Sequence, residues 1–293
     1  SNVAGRTWQV GKPSALVPVS NGCDKFCAYC IVPLARGRET SRTVIDIVSD
    51  VKKAVEDGAK EIWLLGQTVN SYKNGSVKFH DLLRLVNAIP GDFWIRFTSP
   101  HPKDFSDELI KAMAKCEKFA HYINLPVQSG NNAVLKRMGR PYTVGHYKKL
   151  IKKIRQAIPD IAISTDVIVG FPDETRKQFE DTVKLFKETK FDMAFISEYS
   201  PRPKTTAAKM FKDDVPHKEK ERRKNKLNEI LKKTALKNNK KLVGQTVKVL
   251  NSRTEGNKPI VITNVRHSMS NKNKFALVKI TKANIWSLKG KLS

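Results

Sequence analysis

The sequence alternates short apolar runs typical of strands with amphipathic stretches typical of helices, and this alternation restricts the fold most. The first six strand-type runs are ALVPVS (15–20), EIWLLG (61–66), WIRFTS (94–99), YINLPVQS (122–129), IAISTDVIVGF (161–171) and MAFISEYS (193–200). In the first intervening stretch, Ile45, Val48, Val51 and Val55 have the spacing of one buried helical face. Strands joined through helices form mostly parallel sheets. The pattern predicts an α/β fold, a partial or full (β/α) barrel with its chemistry at the carboxyl ends of the strands.

The pattern changes after Pro216. Residues 217–241 are polar and strongly basic, which predicts a solvent-facing helix or a linker. Short β-type runs follow at 245–251, 259–264, 275–281 and 284–288. This spacing predicts a small all-β barrel of the oligonucleotide-binding type. We therefore predict a tail or linker at 1–12, a core domain at 13–241 and a β domain at 242–293.

The chain is strongly basic, with 55 Lys and Arg against 28 Asp and Glu. Residues 202–293 hold 25 basic and 6 acidic residues, a net charge of +19. Such a surface favours a nucleic-acid partner, and a solvated lysine-rich surface is the alternative. The sequence has no apolar run of about 18 residues and no signal-peptide core, so we expect a cytoplasmic protein without a membrane span.

Three of the four cysteines lie within eight residues, directly after the first predicted strand. Cys23, Cys27 and Cys30 have the spacing C-x3-C-x2-C. A structural zinc site takes four ligands, and the next candidates, His80 and Cys116, are distant in sequence. Three thiolates suit a 4Fe-4S cluster with one iron left open for a small molecule. A zinc site or an empty cysteine loop is the alternative.

With Tyr29 before the third cysteine, this segment resembles the C-x3-C-x-aromatic-C signature of the radical S-adenosylmethionine (SAM) enzymes. The resemblance implies that the three cysteines ligate a 4Fe-4S cluster whose open iron chelates the amino and carboxylate groups of SAM. It also implies that an electron from the cluster cleaves SAM to methionine and a 5′-deoxyadenosyl radical. The protein then orients the cofactor and excludes water.

Further runs resemble the MiaB-type tRNA methylthiotransferases, and the resemblance covers residues 11–293. The runs are RGRETSR (36–42), LLGQTVNSY (64–72), IRFTSPHP (95–102), LPVQSG (125–130), STDVIVGFPDET (164–175) and YSPRP (199–203). Thr68 departs from the more usual Asn, and the last β domain resembles a TRAM domain. The implied reaction adds a methylthio group to C2 of isopentenyl-adenosine beside the tRNA anticodon. Sibling families that act on threonylcarbamoyl-adenosine or on a ribosomal protein are the alternatives.

Members of this family begin with a further domain, whose three cysteines hold a second 4Fe-4S cluster that delivers sulfur. This chain begins with Ser1 and shows no such domain, so we expect a fragment. Its expected partners are the tRNA anticodon stem-loop, a reducing electron donor and a sulfur source. Complete methylthiolation by the chain alone is not expected.

Candidate contacts to SAM follow several predicted strands. An aromatic ring beside the cluster suits adenine, amides and a carboxylate suit the polar groups of SAM, and a glycine allows close backbone approach. Loop capping is the alternative for the amides, and a buried partner for the carboxylate. The residues assigned to SAM are Tyr29, Gln67, Asn70, Gln128, Asp166, Gly170 and Phe171. Glu174 is expected instead to complement a helix dipole.

Candidate contacts to RNA are basic. Arginine can hold a phosphate through two parallel hydrogen bonds, so Arg36, Arg38 and Arg42 are assigned to RNA, with ion pairs to Glu39 or Asp46 as the alternative. The phosphate contacts assigned to the β domain are Lys248, Arg253, Arg266, Lys274 and Lys279. Phe275 and Trp286 are expected in the core of that domain.

Overall fold

A computed structural model describes residues 8–264 and 274–293, and six parallel strands form its centre. Numbered along the chain, they are β1 (Ser14–Pro18), β2 (Glu61–Leu65), β3 (Trp94–Phe97), β4 (Tyr122–Asn124), β5 (Ala162–Val169) and β6 (Met193–Glu198). They pair in chain order as two three-stranded sheets, β1–β2–β3 and β4–β5–β6. A parallel bridge joins Ile95 on β3 to Phe119, three residues before β4 begins. The predicted α/β class with parallel strands is confirmed.

The described residues contain nine α-helices, which connect the strands and cover the sheets. They are α1 (Val32–Arg36), α2 (Val44–Glu56), α3 (Phe79–Asn87), α4 (Asp107–Lys115), α5 (Asn132–Arg137), α6 (Val144–Ala157), α7 (Arg176–Thr189), α8 (Thr206–Met210) and α9 (His217–Lys240). Helices α2, α4, α6 and α7 each begin after a Ser or Thr whose hydroxyl accepts a backbone N–H of the first turn. None of the described helices is long and apolar enough to cross a membrane.

Two helical predictions need correction. In α2 the fully buried residues are Ile47, Val51 and Ala54, whereas Ile45 is 81% exposed. The buried face is therefore rotated from the predicted one, because Ile47 and Ala54 take the inner positions. Residues 217–240 form helix α9, which agrees with the helix and not the linker predicted there. However, Leu227, Leu231 and other residues on one face of this helix are buried. It therefore packs on the core and is not wholly solvent-facing.

The C-terminal residues form a five-stranded sheet. Its strands are β7 (Thr246–Leu250), β8 (Arg253–Thr254), β9 (Ile260–Ile262), β10 (Ala276–Ala283) and β11 (Leu288–Leu292). Their order is β8–β7–β10–β11–β9, and a bridge from Arg253 to Pro259 brings the two edges together. The predicted strand at 284–288 is wrong, since a turn with Asn284 hydrogen-bonded to Ser287 precedes β11. Trp286 in that turn is 42% exposed, so its predicted place in the core is also wrong.

A fully buried arginine joins the C-terminal sheet to the sheet β1–β2–β3. Arg96 on β3 pairs with Glu61 on β2 at 2.6 Å and donates to the carbonyl oxygens of Thr254 and Glu255 at 3.2 and 2.8 Å. Nearby, the ring of Phe275 packs against Trp94 at 4.8 Å between centroids. The contact lies at the amino ends of the strands, which leaves their carboxyl ends open for a site.

Candidate functional site

The cysteine loop begins where β1 ends. Two-residue strands at Ser20–Asn21 and Thr40–Ser41 pair with each other and close the segment that holds the three cysteines. Gly22 has a φ of +75°, and the carbonyl group of Arg38 lies so close that no Cβ fits there. This glycine therefore lets the returning chain pack directly against the start of the loop. Helix α1 begins two residues after Cys30.

The three cysteines line one cavity of about 290 Å³, at the carboxyl ends of the parallel strands. Four of the predicted SAM contacts lie in the same lining, namely Tyr29, Gln67, Gln128 and Asp166. Gln67 and Gln128 follow β2 and β4, Asp166 lies within β5, and Tyr29 lies in the cysteine loop after β1. The carboxyl ends of parallel strands bring such positions together. Gln128 has a φ of +71°, and its N–H donates to the carbonyl oxygen of Asp166 at 2.8 Å. Ser99, also in the lining, is another non-glycine residue with positive φ, at +54°.

Hydrogen-bond donors surround the sulfur atoms. Thr68 Oγ1 lies 3.3 Å from Cys23 Sγ, and the backbone N–H of Lys25 donates to the same sulfur at 3.4 Å. Arg140 Nη1 donates to Cys27 Sγ at 3.2 Å. Burial raises the pKa of the Cys30 thiol, and the other two sulfurs add to the rise. Hydrogen-bond donors next to a cysteine sulfur stabilise the thiolate, which is the form that binds metal.

The donor set fits an iron–sulfur cluster. All four cysteines are free, and three of them face one cavity. Among residues 8–264 and 274–293, no three His, Cys, Asp or Glu side chains converge on a position for a single metal ion. A cluster binds each thiolate through a different iron, so its ligands need not converge on one point. Cys116 lies apart, buried near the carbonyl oxygen of Leu83.

Polar side chains of β4 and β5 form the opposite wall. Asn124 Nδ2 donates to Asp166 Oδ2 at 2.7 Å, and Asn124 Oδ1 accepts from Ser164 at 2.7 Å. Burial raises the pKa of Asp166, while the bond from Asn124 and the charge of Arg140 oppose the rise. Burial also raises the pKa of Tyr29 well above its usual value, so this phenol is neutral. The wall thus offers one carboxylate within a network of amide and hydroxyl groups.

His101 is a buried member of the lining that the sequence analysis did not assign. The N–H of Lys103 donates to Nδ1 at 3.2 Å, so the ring proton belongs on Nε2, which has no hydrogen-bond partner among the described residues. Burial, together with the charges of Arg140, Lys25 and Lys103, lowers the pKa of His101 to about 2. A neutral imidazole with a spare N–H therefore lies at the cavity wall.

Three predicted SAM contacts lie outside the lining. Asn70 Nδ2 donates to the carbonyl oxygen of His101 at 3.0 Å, and the N–H of His101 donates to Asn70 Oδ1 at 2.7 Å. Asn70 therefore holds the backbone of a lining residue in place. Gly170 packs against the aliphatic part of Lys220, leaving no room for a Cβ. Phe171 is buried in the apolar cluster beneath the cysteine loop.

Glu174 differs from its predicted role in complementing a helix dipole. It is buried and pairs with Arg223 at 2.7 Å, and it accepts the N–H of Gly170. The partner lies 49 residues away, on α9, which local sequence patterns do not reveal.

The three arginines after the cysteine loop have different surroundings. Arg36 is exposed and donates to Asn21 at 3.3 Å, while Arg38 pairs with Asp24 at 2.8 Å and is 74% exposed. Arg42 pairs with Asp50 at 2.8 Å and is mostly buried. Arg38 and Arg42 thus form ion pairs, as the alternative predicted, but with Asp24 and Asp50 and not with Glu39 or Asp46. Of the three, Arg36 and Arg38 remain open to an external phosphate.

The basic residues of the C-terminal sheet also divide into two groups. Lys248 pairs with Asp92 at 2.8 Å and lies 3.9 Å from the centre of the Phe275 ring, so it contributes to the contact with the core domain. Arg253 donates to the carbonyl oxygen of Asn257. Lys274 and Lys279 are exposed. Arg266 lies outside the described residues.

Comparison with known proteins agrees with this geometry. A family model described as the radical SAM superfamily matches residues 17–186. The tRNA-2-methylthio-N(6)-dimethylallyladenosine synthase of Clostridium novyi (strain NT) is 45% identical over 293 residues. That match covers 95% of this chain and 64% of the relative, so the chain spans less than two thirds of that relative's length.

Solved structures share the fold at low sequence identity. The radical SAM methyltransferase TsrM from Kitasatospora setae, with cobalamin and a [4Fe-4S] cluster bound, has a TM-score of 0.56 and 19% identity, over 66% of this chain and 38% of that one. The coproporphyrinogen III oxidase HemN from Escherichia coli has a TM-score of 0.54 and 19% identity, over 78% and 53%.

Proposed function

The chain belongs to the radical SAM superfamily, and from that membership we propose that it is the catalytic part of a tRNA methylthiotransferase. The proposed reaction adds a methylthio group to C2 of isopentenyl-adenosine next to the anticodon. The proposal rests on one observation. A single cavity is lined by Cys23, Cys27 and Cys30 together with Tyr29 and Asp166. The 45% identity to a synthase of methylthiolated dimethylallyladenosine in tRNA supports the substrate.

The three cysteines would hold a 4Fe-4S cluster, and SAM would occupy the rest of the cavity. When bound, the two supply the one-electron chemistry that opens a C–H bond for sulfur insertion. Asp166 would accept hydrogen bonds from the ribose hydroxyls of SAM, and Asn124 fixes the orientation of that carboxylate. Gln67 and Gln128, which line the cavity, would bind uncharged polar groups of SAM, and Tyr29 would pack against adenine.

RNA binding is assigned to two basic regions. The exposed Arg36 and Arg38 flank the cysteine loop and would contact phosphates near the modified base. The C-terminal sheet would act as a TRAM-type barrel that holds the stem-loop, through Lys274 and Lys279 among others. Phosphate contacts of this kind set affinity and register more than sequence choice. Because the proposed substrate is tRNA, we also propose that the protein acts in the cytoplasm.

The remaining partners are a reducing electron donor and a source of sulfur. The described cavity holds three cysteines, all of which the cluster would use, and Cys116 lies elsewhere in the core. We therefore propose that the sulfur comes from a second 4Fe-4S cluster outside these residues. The chain by itself would bind and cleave SAM without completing the transfer.

The test is anaerobic reconstitution with iron and sulfide, followed by dithionite and SAM. We expect about four irons per chain and release of 5′-deoxyadenosine, measured by mass spectrometry. Cys27→Ala should abolish both, whereas Cys116→Ala should keep both. A protein that takes up zinc and no iron, or one that binds iron without cleaving SAM, would contradict the proposal.

A further inference from the structure

Arg140 is a buried cation whose surroundings contain an unusual set of partners. Arg140 is only 8% exposed. Within the described part of the chain, its guanidinium donates hydrogen bonds to the Tyr142 hydroxyl, the Pro126 carbonyl oxygen and the Cys27 sulfur. No carboxylate is among these partners. The bond from Nη1 to Cys27 Sγ is 3.2 Å long and joins residues 113 positions apart.

A buried charge is costly unless an opposite charge compensates it. The Pro126 carbonyl is uncharged, and burial raises the pKa of the Tyr142 phenol, which keeps it neutral. The cysteine is therefore the partner that can supply a negative charge, as a thiolate. The carboxylate of Asp166 acts on Arg140 electrostatically, but the pKa of Asp166 is itself raised by burial. The arrangement is therefore one in which the sulfur site and the guanidinium neutralise each other.

The position of the guanidinium is fixed from two sides. The segment 138–140 packs on the cysteine loop, with Ala28 N–H donating to the Met138 carbonyl oxygen at 2.9 Å. Gly139 has a φ of +69°, and a Cβ there would lie 3.0 Å from the carbonyl oxygen of Phe26. The ring of Tyr142 lies 5.1 Å from the guanidinium, and its hydroxyl donates to the Val127 carbonyl oxygen. Contacts within the protein thus hold Arg140 against Cys27.

We propose that Arg140 is a positioning residue that serves as counter-cation to the iron–sulfur cluster through Cys27 and raises its reduction potential. This inference rests on the cluster binding of the proposed function. Reduction adds one electron, supplied from outside, and so adds negative charge next to the guanidinium. A cation in a site of low dielectric constant stabilises the more negative, reduced form. Hydrogen bonds to the sulfurs and local charge are known determinants of cluster potential.

The experiment compares Arg140→Met and Arg140→Lys with the wild-type chain, each reconstituted anaerobically without SAM or RNA. Redox titration followed by the electron paramagnetic resonance of the reduced cluster gives the midpoint potential. We expect Arg140→Met to shift the potential to more negative values and Arg140→Lys to shift it less. The matched control is Arg137→Met, three residues earlier in the chain. Arg137 donates hydrogen bonds to the carbonyl oxygens of Pro172 and Asp173 and not to a cysteine sulfur. This variant should leave the potential unchanged.

The outcomes separate charge from shape. Equal potentials in the wild type and Arg140→Met, with equal iron content, would overturn the proposal. If Arg140→Met loses the cluster and Arg140→Lys retains it, the result supports the proposal. If both variants lose the cluster while their circular dichroism is unchanged, the fit of the side chain matters and not its charge. A wild-type chain that binds no iron would overturn the proposed function itself. The chain alone is not expected to complete the reaction on tRNA, so the redox titration tests the role of Arg140 independently of activity on tRNA.

Discussion

Asn124 and Asp166 lie on neighbouring strands, and the amide of Asn124 donates to Asp166 Oδ2 at 2.7 Å in the wall of the cavity. Burial raises the pKa of this carboxyl group. Its folded pKa therefore lies above its unfolded value, so its contribution to stability is present at low pH and is lost as pH rises through the folded pKa. The negative charge of Asp166, which would bind SAM, therefore lowers the stability of the fold at a pH above the folded pKa.

Asp166→Asn tests this relationship. We expect SAM to bind about 10-fold to 100-fold more weakly to the reconstituted protein, because a hydrogen bond to a charged acceptor is lost. We also expect a higher melting temperature for the cofactor-free variant at pH 7, since the buried charge is removed. Equilibrium dialysis and calorimetry measure the two effects. Lower stability of the variant, or unchanged SAM binding, would contradict the prediction.

Gly139→Ala should weaken cluster binding. The substitution puts a Cβ at a φ of +69°, which costs about 1 kcal/mol, and places it 3.0 Å from the carbonyl oxygen of Phe26 in the cysteine loop. We expect less iron per chain after reconstitution. Gly145→Ala is the control, because the nearest atom to its Cβ would be Thr143 Oγ1 at 3.8 Å. Equal iron content in the two variants would show that the loop tolerates the added methyl group.

Arg96→Met should destabilise the protein by about 3 kcal/mol, since it leaves Glu61 without its partner and removes two bonds to the C-terminal sheet. Urea unfolding measures the loss. The comparison variant is Lys226→Met, which breaks the exposed pair with Glu180 and should cost about 0.5 kcal/mol. Adding Glu61→Gln to Arg96→Met should recover part of the loss, and a further loss of the same size would refute the pairing argument.

Lys279→Ala and Lys248→Ala should differ in their effect on RNA binding. Lys279 is exposed, so its loss should reduce the slope of log affinity against log salt by about 1. Lys248 already pairs with Asp92, so its loss should change that slope less. Titration of an anticodon stem-loop at several salt concentrations gives both slopes. A larger effect for Lys248 would mean that its ion pair opens when RNA binds.

The sequence pattern predicted the main features of the fold and part of the site. Strand–helix alternation predicted the parallel sheets, and because parallel strands share one carboxyl edge, Gln67, Gln128 and Asp166 could be expected near the cysteines. The pattern failed where tertiary contacts decide. Ile45 fits a helical stripe but faces solvent, because the buried face is set by the sheet beneath α2.

The missed members of the site are residues whose role depends on distant partners. Arg140 contacts Cys27 across 113 positions, and His101 is held by Asn70 across 31. No local spacing marks such pairs, because the connecting chain passes through several strands and helices first. The unusual signals that could have found Arg140 are the adjacent Gly139 and Pro141, which interrupt the region between α5 and α6.

The long separation between Cys27 and Arg140 has a consequence for biogenesis. A ribosome makes the thiols first and adds the guanidinium more than a hundred residues later. If Arg140 balances the cluster, a nascent chain released before that point would carry sulfur ligands without their counter-charge. Loading of iron would then be favoured only after translation has passed Arg140, which ties maturation of the cofactor to synthesis of the chain beyond α5.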